Sequence, residues 1–411
     1  MAERMLLALD LGTTVLAGRL ATGAGKLLAE AEAGNPQRAF GDDVIRRLEA
    51  ARQGHAQQLQ RLLSEGINRL VDTLLKQAGR DAADISAAAA AANPAVTHLL
   101  AGQPVDKILF PPHRPDFTGG CSLDAKALGL DLPIPLYLFP LLSGYVGGDL
   151  LAVLLAAEAP AEPTLYLDLG TNAELALWDG HRWLVTSVAA GPAFEAGHLT
   201  CGMRHGPGAV KRVQCAAERL ELEVAGGTAP LGICGSGFFS ALGAALEGGL
   251  IDPRGRIRAA DEVATPLCRY LVAEGEGFAL QLYRDARRRL LITQQDVRAF
   301  QLAKGAVSAG IACLLQRAGL TAAAIGSLRI AGALGTALLP RDLKGVAMVP
   351  EIMLDKVRFL PSAVLDGLLV LLAEEGGEER VRQLAAKLKP YPLSGTPAFE
   401  QSFLRALDFA G

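Results

Sequence analysis

With 411 residues, half of them hydrophobic, the chain is long enough for two or three domains of roughly 100–200 residues each. A net charge of −3, with no polybasic or polyacidic tail, argues against nucleic acid or a membrane surface as the main partner. The start does not read as a secretory signal, because Asp10 follows only a short apolar run, and the longest uncharged apolar region (132–148) is broken by Pro133, Pro135 and Pro140.

In chain order, residues 5–10 predict a buried strand that ends at Asp10. After the tip Gly12-Thr13-Thr14, "VLAGRLA" and "KLLAEAEA" flank a turn at "TGAG" and predict a hairpin. "DDVIRRLEAARQ" and "QLQRLLSEGINRLVDTLLKQAG" carry apolar residues at helical spacing, with Gly79 as a stop. "ISAAAAAANPAVTHLLAG" suits either a helix or a buried strand ending before Asn93-Pro94. "GDLLAVLLAAEA" predicts a helix ending before Pro160, and "APAEP" (159–163) is the best boundary in the chain.

The first unit then recurs. "TLYLDL" predicts a strand, "TNAELALW" its return and Asp179-Gly180 a turn before "HRWLVTSV". What repeats is a strand, a D-L-G-T tip and a hairpin rather than a bare tetrapeptide. Further on, "GICGSGFFSALGAALEGGLI" predicts a glycine turn into an apolar helix, and residues 294–318 a long helix between Thr293 as N-cap and Gly319. "SLRIAGALGTAL" predicts a buried strand with a glycine-rich tip, and "VRFL" a short strand near the C-terminal helices.

An aspartate at the end of a buried strand, followed by Gly-Thr, suits phosphate binding. Glycine admits close approach, and successive N–H groups and the threonine hydroxyl donate to the oxygens. The carboxylate makes sense beside phosphate when hydrated Mg²⁺ lies between them. Two strand-capping turns are the alternative. Asp149 follows two glycines at a helix start, where it can cap the helix or orient water beside a phosphate. The stretch 190–210 holds Glu195, His198, Cys201, Arg204 and His205, and reads as a structural or partner-contacting loop, or as a His198, Cys201, His205 metal trio. The six cysteines form no C-x-x-C pair, which fits small buried hydrophobes in a reducing, cytoplasmic compartment. There is neither a G-x-G-x-x-G nor a Walker A spacing.

The paired D-L-G-T units and the later "IAGALG" resemble the acetate and sugar kinase, Hsp70 and actin superfamily. That resemblance implies an α/β fold of two ribonuclease-H-like lobes with a nucleotide cleft between them. Lobes at 1–160 and 161–345, and a C-terminal strand and helices at 346–411, are expected. Longer stretches are similar to the reductive activators of corrinoid proteins: "NPQRAFGDDVIRRL", "NPAVTHLLAG", "SGYVGGDL", "AGPAFEAGHLTCGM", "GICGSG", "DVRAFQLAKGAVSAGI" and "LSGTPAFEQSFLRAL".

The resemblance implies an ATPase whose hydrolysis drives return of an inactive Co(II) corrinoid protein to Co(I) in methyl transfer. By position, Asp10 and Asp168 would hold Mg²⁺, with Gly12, Thr13 and Thr14 binding phosphate from one side and Gly170, Thr171 and Asn172 from the other. Gly332 and Gly335 would approach the adenosine, and Lys304 would contact ribose or base unless it lies on a solvated helix face. Asp149 and Glu174 are candidates to polarise the attacking water, Glu174 being equally a strand-edge charge. Many relatives carry an N-terminal ferredoxin-like [2Fe–2S] domain. This sequence starts at the first ATPase strand, so no iron–sulfur cluster is expected within it, and the electrons would come from a separate iron–sulfur protein or from a redox domain missing from the sequence. A homodimer is the family expectation. A small-molecule kinase or a nucleotide-binding regulatory protein of the same fold are the alternatives.

Overall fold

The structure is a computed structural model that describes residues 4–157, 160–196, 199–332, 334 and 337–409. The chain divides into two units: 1–161, 180–186 and 362–391 form the first, and 162–179, 187–361 and 392–411 the second.

In the first unit, β1 (Met5–Leu11), β2 (Val15–Thr22) and β3 (Leu27–Gly34) form an antiparallel meander. α1 (Val44–Ala50) starts at Asp43, whose carboxylate accepts from the Arg46 amide. A turn containing Gly54 leads into α2 (Ala56–Ala78), which Gly79 ends in the left-handed conformation. β4 (Ile85–Ala92) pairs in parallel with β1. The alanine run is thus a strand: Ala88–Ala92 are all buried, and short side chains let helices approach it. α3 (Pro94–Leu100) and α4 (Asp106–Leu109) follow. β5 (Cys121–Leu123) and β6 (Leu136–Leu138) complete a sheet of order β3-β2-β1-β4-β6-β5, and α5 (Gly148–Ala156) leaves its end. Leu7, Leu9, Leu16 and Leu20 meet Leu63, Ile67, Leu70 and Leu74 of α2 on one face.

In the second unit, β7 (Thr164–Leu169) and β8 (Asn172–Trp178) form the second hairpin, with the end of β9 (Trp183–Ala189) beyond β8. β10 (Ala209–Ala216), β11 (Arg219–Val224) and β12 (Gly232–Ile233) make a small sheet that feeds α6 (Gly235–Glu247). β13 (Leu271–Glu274), β14 (Gly277–Arg284) and β15 (Arg289–Ile292) make another, which runs into α7 (Gln294–Ala318). β16 (Ser327–Ala331) pairs in parallel with β7, and beyond α8 (Pro340–Gly345), β17 (Val357–Leu360) pairs in parallel with β16. The order β17-β16-β7-β8-β9 matches β6-β4-β1-β2-β3 of the first unit strand for strand. The tetrapeptide repeat therefore marks a repeat of topology.

The segment expected as one C-terminal piece divides. α9 (Ala363–Ala373), α10 (Gly377–Lys387) and β18 (Leu388–Pro390) belong to the first unit, and α11 (Pro397–Arg405) packs on α7 in the second. α9 covers the other face of β1 and β4 and lies on α5 so closely that a Cβ on Gly367 would stand 1.9 Å from the Ala152 carbonyl oxygen. Among the described residues one helix, α7, is long and apolar enough to cross a membrane, and 72% of its apolar window is buried in the protein.

Candidate functional site

The first tip is built from behind. A Cβ on Gly12 would fall 2.7 Å from the Val15 carbonyl oxygen, so the turn closes too tightly for a side chain. Its three carbonyls are all held by two buried side chains and one buried amide. Asn35 Nδ2 donates to Gly12 O at 2.9 Å, Arg47 Nη1 to Thr13 O at 2.7 Å, and the Asn35 amide to Thr14 O at 3.0 Å. Asn35 and Arg47 are 0% and 1% exposed. In a trans peptide the N–H points opposite the C=O. With the carbonyls turned inward, the amides of Thr13 and Thr14 face the other way, an arrangement that receives anions. Asn93 Nδ2 donates to Thr13 Oγ1 at 3.0 Å, so that hydroxyl still has its own proton to give.

Asp10 and Asp149 belong to the same neighbourhood of the first unit. The Asp10 backbone lies between Ala17 of β2 and Ala91 of β4. Gly147 crowds the end of β4, its Cβ position 2.5 Å from Ala92 O and 2.5 Å from Asp149 Oδ1. Asp149 is not the cap of α5, since Gly147 occupies that position; its Oδ1 accepts from the Leu150 amide at 2.9 Å. Burial pushes its carboxyl up to about 6, although the residue keeps some exposure.

The second tip uses different supports. Asp168 stands opposite Glu174 across the hairpin, with Ala331 of β16 on its other side. The Gly191 amide donates to Thr171 O at 2.8 Å, and Thr171 Oγ1 donates to Glu195 Oε1 at 3.0 Å. Asn172 opens β8 and is partly exposed. Gly332, at φ +90°, passes so close that a Cβ there would lie 2.8 Å from Asp168 Oδ1 and 3.0 Å from Leu169 O. It therefore lies against the aspartate tip itself, at a closeness that only a glycine allows. Gly335 lies outside the described residues.

Two further expectations resolve differently. Glu174 is 4% exposed and accepts from Ser187 Oγ at 3.3 Å, so it is an inner-strand carboxylate rather than a solvated edge charge. Lys304 is neither on a solvated face nor open to a ligand. It is 1% exposed, and its ammonium reaches the Asp408 carbonyl and, at 3.5 Å, that of Ala347, 5.3 Å from the Phe409 ring centre. Burial lowers its ionisation to about 8.

His198 lies outside the described residues, His205 is exposed, and burial pushes Cys201 up to about 12. Among the described residues no three His, Cys, Asp or Glu side chains are grouped to hold a metal. Only Cys234 and Cys313 of the six cysteines are buried; the other four are partly exposed, and all six are free thiols. Sequence reasoning missed Asn35, Arg47 and Asn93. The signal for Arg47 was its place: in α1 it takes a core-facing position between Val44 and Leu48, where an apolar residue is the rule.

Topology and tips together define an α/β protein of the acetate and sugar kinase, Hsp70 and actin class. The family model described as the C-terminal domain of RACo, the ASKHA domain, matches residues 162–411, and the RACo middle region matches 5–161. The chain belongs to this RACo family, a group of reductive corrinoid activators. It is 33% identical over 389 residues to the "Corrinoid activation enzyme RamQ" of Eubacterium limosum, covering 90% of this chain and 65% of that protein. A "[Co(II) methylated amine-specific corrinoid protein] reductase" of Methanosarcina barkeri is 34% identical over 137 residues, 28% of this chain and 25% of the relative. The solved "Reductive activator for corrinoid,iron-sulfur protein" superposes with a TM-score of 0.89 at 29% identity, covering 99% of this chain and 66% of that one. The chain thus spans just under two thirds of the length of RamQ and of the solved reductive activator.

Proposed function

We propose that the chain is an ATP-dependent activator acting in the cytoplasm on the corrinoid protein of a methyl-transfer system. Hydrolysis supports addition of one electron to inactive Co(II), giving Co(I), with the electron supplied by an iron–sulfur donor. The observation that carries the nucleotide reading is the inward turn of the Gly12, Thr13 and Thr14 carbonyls onto Asn35 and Arg47. The corrinoid reading rests on family membership and on the activities named for the relatives.

In this reading Asp10 and Asp168 would be the carboxylates that hold the metal through its waters. When bound, Mg²⁺ supplies positive charge that offsets the phosphates. The Thr13 and Thr14 amides and the Thr13 hydroxyl would bind phosphate oxygens, as would Gly170, Thr171 and Asn172. Asp149, poised near 6, is matched to take a proton from the attacking water at neutral pH, and Glu174 is the second candidate.

Titration calorimetry with Mg·ATP tests the site. Asp10→Ala and Asp168→Ala each weaken binding at least about tenfold, or ~1.4 kcal/mol; unchanged binding in both variants overturns the assignment. Phosphate release without a phosphorylated small molecule separates the activator from a kinase. An ATP-dependent Co(II)-to-Co(I) spectral change, with reductant and a corrinoid protein, tests the activity itself.

A further inference from the structure

The hairpin joining β14 to β15 carries a charge cluster that no part of the nucleotide site uses. Arg284, Arg287, Arg288 and Arg289 lie within "YRDARRRL", all exposed, in a chain whose net charge is −3. With Thr200, Asp285, Ala286 and Leu291 they line an open concavity of about 500 Å³. Asp285 is the one carboxylate in that wall, its Oδ1 accepting the Arg287 and Arg288 amides at 2.7 and 2.8 Å and its Oδ2 the Tyr283 hydroxyl at 3.2 Å. Arg289 pairs with Glu274 at 3.5 Å, whereas Arg284, Arg287 and Arg288 form no ion pair among the described residues. Four guanidiniums against one carboxylate in the wall leave the concavity net positive, which favours an anion there.

We propose that this concavity docks an acidic segment on the surface of the corrinoid protein partner. This deepens the function proposed above and depends on it only for the partner's identity. Guanidinium forks pair bidentately with carboxylates, and a concave cluster on one short turn matches a few carboxylates of one segment. A nucleic acid would call for a longer basic track with aromatic stacking platforms, and a lipid surface for a projecting face with apolar side chains. The Thr200 amide donates to Asp296 Oδ1 at 3.0 Å at the start of α7, which fixes one wall of the concavity.

The test is fluorescence anisotropy with a short glutamate-rich peptide, using the full chain, followed by the cobalt assay. Binding that falls with salt, weakens about tenfold or more in the Arg287→Glu, Arg288→Glu double variant and weakens less in the Arg287→Lys, Arg288→Lys variant, which keeps the charge but loses the fork, supports the proposal. The cobalt assay should then show a raised half-saturating concentration of corrinoid protein for the Glu variant, with unchanged phosphate release in the partner's absence. Equal peptide binding by wild type and Glu variant overturns the site. Tighter binding of anionic vesicles or single-stranded RNA than of the peptide overturns the class of partner. Failure of the function proposed above reads separately, as loss of Mg·ATP binding or of the ATP requirement in the unaltered chain.

Discussion

Asp149 shows how one carboxyl can serve chemistry at the expense of the fold. An acid whose folded-state value lies above its unfolded one costs stability as it ionises. Well below pH 3.8 it is protonated in both states, and the cost is complete once the pH has passed about 6. Asp149→Asn therefore unfolds at the same urea concentration as the parent at pH ~2.5, and is more stable by about 3 kcal/mol at pH ~7.5, measured without Mg²⁺ or nucleotide. Coincident midpoints at both pH values would remove the case for a strained carboxyl. At this scale the sequence was only partly legible. The two aspartates and the Gly-Thr tips could be read, because a strand end followed by glycine is a local signal. The Asn35 and Arg47 brace could not, because it closes over 23 and 34 residues of intervening chain and involves carbonyls, which leave no mark in a sequence. Lys304 was misplaced for a related reason: a lysine's burial is set by whatever chain end packs over it, here Asp408 and Phe409.

At the scale of elements, hairpins and long capped helices were the most legible. α7 begins at Thr293 and ends at Gly319 as its cap residues dictate, and both D-L-G-T hairpins form where the turn residues put them. The alanine stretch resisted because propensity and context disagree. Alanine favours helices, and only burial of Ala88–Ala92 on both faces, with α9 packed against the strand, selects β structure. The α5–α9 contact was not visible at all, since the two helices are far apart in sequence. It is also exacting: adding one methyl at Gly367 drives a carbon into the Ala152 carbonyl. Gly367→Ala should lower stability by about 2–4 kcal/mol, read as a shift in the urea midpoint. An unshifted midpoint would mean that the helices tolerate separation.

At the scale of the whole molecule, the family models divide the chain at 161 and 162, but the first unit does not end there. It also includes 180–186 and 362–391, and α9 from the last of these covers β1 and β4. Residues 1–161 alone leave that face bare, so the fragment should aggregate on gel filtration. The same fragment joined through a flexible linker to 362–391 should elute at its own mass. A monodisperse 1–161 fragment would show that α9 is dispensable.

The late arrival of α9 also bears on how the protein is made. A ribosome that has finished β1 to α5 must still synthesise residues 162–361 before α9 exists to cover them. At roughly 5–20 residues per second that interval is on the order of tens of seconds. Throughout it a nascent chain offers an apolar sheet face to its surroundings, and holdase chaperones have a defined surface and a defined time in which to act.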